Sequence, residues 1–311
     1  MLKLTKAKMA AARDFILSSA RPLERALFHF YFESGQEQEV LDELRHFQNA
    51  DGGFGHGIEP DLPMAGSSVI GTVRCLQILA AVRAPSENSM VREAVRYLLD
   101  TYDPKIGVWE IVPKAANDGP HAPWWHYDDD GQAAKWGGYL VNPRAEVLGC
   151  LYDYADLVPN DMITSVTDLL LAHLESHPDM KDMHEIACYL ELLESRSLPD
   201  SLRGRLAAGL AQPVAGAVQR NPAKWDGYCL KPTGYMGVVT SPASPFAGML
   251  AGEIDLSLDF DIRRQQTDGS WFPNWTWGEA FPDAWKQARC AWQGILTVEM
   301  LKTLASFGRL V

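Results

Sequence analysis

Gln48-Asn49-Ala50-Asp51-Gly52-Gly53-Phe54 finds a match near the far end of the chain, in Gln265-Gln266-Thr267-Asp268-Gly269-Ser270-Trp271. Both read Gln-x-x-Asp-Gly-small-aromatic, and each follows a segment of helical periodicity. A weaker third copy, Asp103-Pro104-Lys105-Ile106-Gly107-Val108-Trp109, keeps the glycine and the aromatic but not the glutamine. In such a turn glycine supplies left-handed backbone, aspartate binds the next amides and the aromatic plugs the seam between helices. Repetition of one helix-ending unit predicts stacked helical hairpins, and a closed ring is one way to stack them.

Outward from these turns the dominant period is helical. Apolar spacing predicts helices over Leu4–Ser19, Pro22–Phe32, Glu37–Phe47, Ser67–Val82, Ser89–Leu99, Pro143–Leu157, Asp161–Leu174, Met183–Leu193, Asp200–Val218, Ile254–Arg264 and Pro282–Phe307. Proline stands at expected first-turn positions at Pro22, Pro143 and Pro282. Ser67–Val82 has only Arg74 and Gln77 as long polar side chains, the pattern of a helix buried on most of its surface. Gly237–Thr240 is the only short β-like stretch. Thr101–Asn142 is a long gap rich in Gly, Pro, Trp and Asp, and a loop of that length is usually functional or conceals short elements. No composition shift marks a boundary, so residues 1–311 read as one all-α domain.

Composition bounds the function. The chain has 311 residues, 47% hydrophobic and 22% charged, which excludes disorder, collagen and coiled coil. A net charge of −12 without basic clusters argues against nucleic acid and anionic membranes as partners. No apolar run reaches the ~18 residues of a membrane span. Five isolated cysteines and the charged Met1–Leu17 segment suggest reduced thiols and a cytoplasmic location. Of ten tryptophans none precedes Trp109 and five crowd Trp271–Trp292, so their placement, more than their number, asks for an explanation.

Gln265–Trp271 resembles the QW repeat of squalene-hopene and related triterpene cyclases, and Gln48–Phe54 its looser relatives. The stretch Gly52-Gly53-Phe54-Gly55-His56-Gly57-Ile58-Glu59-Pro60-Asp61, with Trp292-Gln293-Gly294 and Phe307-Gly308-Arg309-Leu310, resembles bacterial proteins described as prenyltransferase-like or squalene-cyclase-like. The resemblance covers nearly the whole chain. It implies an α/α toroid, a barrel of helical hairpins, with a hydrophobic isoprenoid-type substrate in a central aromatic-lined cavity. In the cyclases these repeats tie outer helices and carry no chemistry.

The motifs that perform chemistry in that superfamily are missing. Alkene protonation needs a strong, water-shielded acid, supplied there by D-x-D-D. The nearest approaches are Asp128-Asp129-Asp130 and Asp259-Phe260-Asp261, the second read as a solvated helix face. The diphosphate motif D-D-x-x-D fails at Gln132, and Asn160–Asp168 reads as a helix start with Asn160 as its cap. There is no Asp-x-Cys for a prenyltransferase zinc. His173, His177 and His184 lie within reach of one another for zinc, but a polar helix face explains them as well. His184-Glu185 lacks the second histidine of H-E-x-x-H, because Cys188 stands there. No metal and no cofactor are expected.

Four places remain for a site. His56, Glu59 and Asp61 lie in the loop feeding helix 67–82, where a helix N-terminus favours ionised carboxylates. Pro120–Asp130 brings Trp124, Trp125, His126 and Asp128 together as a lid whose aromatic faces suit carbocations or sugar rings. Asn142 and Glu146 open another apolar helix, and Trp275 stands in the crowded 271–285 loop. His56, Glu59, Asp61, Asp128 and Glu146 are therefore the candidate acid–base groups; Trp124, Trp125, His126, Asn142 and Trp275 are the candidate substrate contacts. The leading reading is a terpenoid-cyclase-like or prenyltransferase-like enzyme on a small hydrophobic substrate; the alternatives are a carbohydrate-active hydrolase or lyase on an oligosaccharide and a non-catalytic toroid binding a ligand or protein. Many aromatics around a single buried acid would favour the first, and opposed carboxyls in an open cleft the second.

Overall fold

The computed structural model describes all 311 residues. Twelve α-helices carry it: α1 (Lys6–Ser19), α2 (Pro22–Phe32), α3 (Glu37–Leu44), α4 (Val69–Ala81), α5 (Ser89–Asp100), α6 (Gln132–Lys135), α7 (Arg144–Asp153), α8 (Asn160–Ser176), α9 (Met183–Glu194), α10 (Asp200–Ala217), α11 (Ala251–Arg263) and α12 (Pro282–Ser306). The only strands are β1 (Tyr102–Asp103) and β2 (Val108–Trp109), an antiparallel pair. No helix is long and apolar enough to cross a membrane.

Local chemistry sets the helix starts. Ser68 caps α4 by accepting from Gly71 N at 3.1 Å, and Asp182 caps α9 through the amides of His184 (2.8 Å) and Glu185 (3.2 Å). Pro22 and Pro282 occupy first-turn positions, but Pro143 stands one residue before α7. Asn160 is the first residue of α8 and caps nothing with its side chain; Pro159 precedes it as the cap. Gly237–Thr240 is not a strand. Val238 N bonds back to Lys231 O and Gly237 N to Gly234 O, which folds the stretch into a tight loop.

The two matching turns make the same bonds. Gln48 Nε2 donates to Gly52 O (3.1 Å) and to Met90 O in the first turn of α5 (3.2 Å). Gln265 Nε2 donates to Gly269 O (3.0 Å) and to Lys8 O in the first turn of α1 (2.9 Å). Gly52 and Gly269 have φ of +90° and +93°, and a Cβ at either would strike the backbone of the clamped helix, at Glu93 and Ala11 respectively. Phe54 N and Trp271 N are each held by a threonine hydroxyl of the following helix, Thr72 in α4 and Thr297 in α12. The third turn lacks the glutamine and its clamp, and becomes the β1–β2 hairpin. Its aromatic keeps one shared role: Trp109 Nε1 reaches back to Leu98 O (2.6 Å), as Trp271 Nε1 does to Asp261 O (2.7 Å).

Two pairs of neighbouring helices run parallel. Between α7 and α9, Glu146 meets Cys188, Gly149 meets Leu192, and Asp153 meets Ser195, the numbers rising together. Between α2 and α12, Glu24 meets Gly294 and Tyr31 meets Lys302 in the same sense. Helix α1 packs on both α12 and α2, as α8 does on α7. The chain ends are tied: Leu4 N donates to Arg309 O at 2.7 Å, and the buried Arg309 guanidinium pairs with Asp259 and Asp255 at 2.9 Å each.

Asp259 and Asp261 are therefore not a solvated face. Both are buried, Asp259 against Arg309 and Asp261 in an ion pair with Lys231 at 2.5 Å. Their alternation in the sequence hides long-range partners. Residues 101–142 are also more than a loop, since they contain β1, β2 and α6. They build a small second core in which Val108, Ile111, Val112, Trp125 and Tyr139 pack on Leu62 and Trp277.

Candidate functional site

Helix α4 is buried on every side but one. Ile70, Arg74, Gln77 and Ala81 are its only residues that are not buried, at the i, i+4, i+7, i+11 spacing of a single stripe. Its apolar remainder is thus core, and its two long polar residues lie on the open stripe. Arg74 makes no hydrogen bond and no ion pair. Burial works against its charge, but Glu299, Tyr235, Glu191 and Glu59 around it hold the guanidinium above the usual arginine range. These groups come from α12, α9 and two loops, so α4 faces a convergence of elements.

Glu59 and Asp61 sit at the α4 entrance. Asp61 is buried and accepts Trp277 Nε1 at 2.7 Å and Trp275 Nε1 at 3.1 Å. The Trp292 N–H is also close, but it has no hydrogen-bond partner. Indoles can only donate, so they favour an ionised Asp61, though burial still leaves its pKa raised. Glu59 is pushed up to about 8, first by burial and then by the Asp61 charge, against the pull of Arg74 and Arg21. At Glu59, desolvation and the neighbouring like charge work against the ionised form that a helix N-terminus favours.

The remaining wall is equally polar. Glu146 accepts only the Cys188 thiol (3.3 Å), and burial raises its pKa. Glu191 accepts only Gln77 Nε2 (3.4 Å) and is raised to about 7 by burial and then by Glu146. Glu191 is nevertheless solvent-exposed, and Glu146 and Glu59 keep partial exposure. Groups crowded by protein yet open to solvent line a recess rather than a convex surface. Glu299 pairs with Lys302 (3.0 Å), whose ammonium lies 4.7 Å from the Tyr31 ring centre. Arg21 is held by Glu24 and by Gly57 O (2.8 Å). Between Arg21, Glu24, Arg74 and Glu299 a void of about 10 Å³ remains, room for about one water.

One side of the recess is aromatic. Trp275 packs edge-on to Trp292 (5.0 Å) and Tyr228 (5.9 Å) and stacks on Tyr235 (5.5 Å). Tyr228 OH meets His184 Nε2 at 3.3 Å. The Tyr235 loop is anchored from beneath by the Lys231–Asp261 pair and by Thr233 on Ser257 (2.8 Å).

The structure thus brings Glu59, Asp61, Glu146 and Trp275 together and disperses the other candidates. His56 is exposed and bonds Asn49 Oδ1 (2.9 Å) in the first of the two matching turns. Trp125 is buried in the second core, stacked on Trp136 at 5.2 Å, and half-buried Trp124 packs on the same core. His126 is exposed and touches His121 at 3.2 Å. Asp128 and His126 line a separate surface recess with Tyr127, Asp129 and Lys135. Asn142 is half-buried just ahead of α7 and makes no side-chain hydrogen bond. Sequence reasoning missed Arg21, Glu191, Tyr235, Trp292 and Glu299 as site residues. Arg74 was missed as well, although its charge in an otherwise apolar helix was the signal that could have found it.

No set of three or more His, Cys, Asp or Glu side chains is arranged to hold a metal ion. No protein-family model and no curated protein matches the chain.

Proposed function

We propose that the recess around Arg74 is the active site of an acid–base enzyme on an α/α toroid, acting on a polyhydroxylated, glycoside-type substrate. The toroid reading is supported by the parallel helix pairs and by the turn before α12, which clamps α1 as the turn before α4 clamps α5. If each clamp holds the next outer helix, the last turn grips the first helix and the ring closes.

The observation that carries the function is unused hydrogen-bonding capacity. Arg74 has five N–H donors and no partner, while Glu59, Glu146 and Glu191 each accept a single bond. An apolar ligand would leave these groups desolvated and unpaired, at about 1–3 kcal/mol each. A ligand dense in hydroxyls would satisfy them, and the Trp275–Tyr235 surface would stack on a sugar ring. Glu59, whose raised pKa favours the protonated form, serves as proton donor to a leaving oxygen; Glu191 or Glu146 takes the proton from an attacking water.

The aromatic wall beside Asp61 favours one second reading, an isoprenoid-type substrate whose carbocation lies against Trp275 and Trp292. Thermal shifts against neutral oligosaccharides and against isoprenoid diphosphates separate the two. Stabilisation by saccharides, lost in Arg74→Met, supports the first; stabilisation by isoprenoid diphosphates alone overturns it.

A further inference from the structure

Arg144, the first residue of α7, is only 2% exposed and makes no hydrogen bond or ion pair. Its Nε and Nη2 are enclosed without a partner. These two N–H groups form the side-on edge of the guanidinium, the edge that grips two oxygens of a carboxylate or phosphate together. A buried arginine costs several kcal/mol unless its charge is met, so a vacant bidentate edge asks for an anion.

The groups around Arg144 supply no counter-charge. His173 of α8 lies within electrostatic reach of Arg144, and its ring is stacked on His177 at 4.1 Å. Tyr189 of α9 and Tyr102 of β1 are the other groups acting on Arg144, and no carboxylate is among them. The hairpin brings Tyr102 here because Gly107, at φ +70°, lets the turn press against Leu169 of α8. Burial depresses the His173 pKa, and His177 and Arg144 depress it further. Glu185 acts on His177 and Tyr189 but not on Arg144 or His173.

The histidine pair whose spacing suggests a metal therefore stands beside an unpaired guanidinium, which repels a cation and attracts an anion. We infer that Arg144, with His173, forms a binding site for a small oxyanion, a carboxylate or phosphate group, between α7, α8 and the β1–β2 hairpin. It is separate from the recess around Arg74 and does not depend on the function proposed there.

Titration of the full chain with inorganic phosphate and with acetate, against chloride at matched ionic strength, tests this. Two readouts are followed: the melting temperature and the arginine Nε–H resonances. The expected result is a saturable rise in Tm with one or both anions, together with a shift of a single arginine Nε–H resonance. Arg144→Met folds, because it removes an unpaired buried charge, and loses both effects. His173→Asn keeps the fold and weakens binding several-fold, so a failure of Arg144→Met to fold does not remove the test. The arm that saturates identifies phosphate or carboxylate as the ligand chemistry. An anion response that does not saturate, or that persists unchanged in Arg144→Met or in His173→Asn, overturns the site.

Discussion

The indole of Trp277 donates to Asp61 Oδ1 at 2.7 Å across 216 positions of chain, while its ring belongs to the small second core. The Asp61 backbone carbonyl is held from the same side by Ala122 N at 2.8 Å. The 101–142 segment thus supports the carboxylate that lies beside Glu59. Trp277→Phe keeps an aromatic but smaller ring and removes the donor. It should destabilise the protein by about 1–3 kcal/mol in urea unfolding, the cost of a buried acceptor losing a bond. A loss no larger than that of an ordinary surface substitution would show that the bond does not hold Asp61.

Glu59→Gln and Asp61→Asn should separate the members of the pair. Glutamine imitates the protonated Glu59, so that variant should unfold at nearly the wild-type midpoint and lose turnover once a substrate is known. Asparagine can turn its NH2 toward indole donors, so Asp61→Asn should be less stable as well as inactive. Circular-dichroism melts of both variants check the order. Equal stability, or normal turnover by both, would remove the pair from the site.

The raised pKa of Glu59 has a definite sign. Between its ordinary value of 4.5 and about 8 the folded protein holds a proton that the unfolded chain has released. Its contribution is therefore full below pH 4.5 and is lost as the pH rises through about 8. Wild type should lose stability relative to Glu59→Gln across this window in denaturant titrations. Parallel curves for the two proteins would mean that Glu59 is ionised like any surface glutamate.

Three glycine substitutions test the turn geometry. Gly269→Ala and Gly52→Ala each put a Cβ into the backbone of a clamped helix at φ near +90°, and each should cost about 2–4 kcal/mol. Gly204 in α10 has nothing within 4 Å of the added methyl, so Gly204→Ala should stabilise by up to about 1 kcal/mol. Chemical denaturation of the three variants decides whether the matching turns hold the fold together.

What the amino-acid sequence determined by itself is local. Apolar period placed eleven of the helices, because helical spacing is a relation between residues three and four apart. The Gln-x-x-Asp-Gly-aromatic turns were legible because most of their bonds close within seven residues. Arg74 stood out because a charge in an apolar helix needs a destination. Only the tertiary structure decided the rest. Trp124-Trp125 and Trp275 are alike in local composition, yet Trp125 fills a core and Trp275 reaches Asp61. Asp259 and Asp261 look solvated until Arg309 and Lys231 arrive. Charge state, burial and pairing are set by neighbours remote in sequence, and a linear pattern does not encode which remote residues those are.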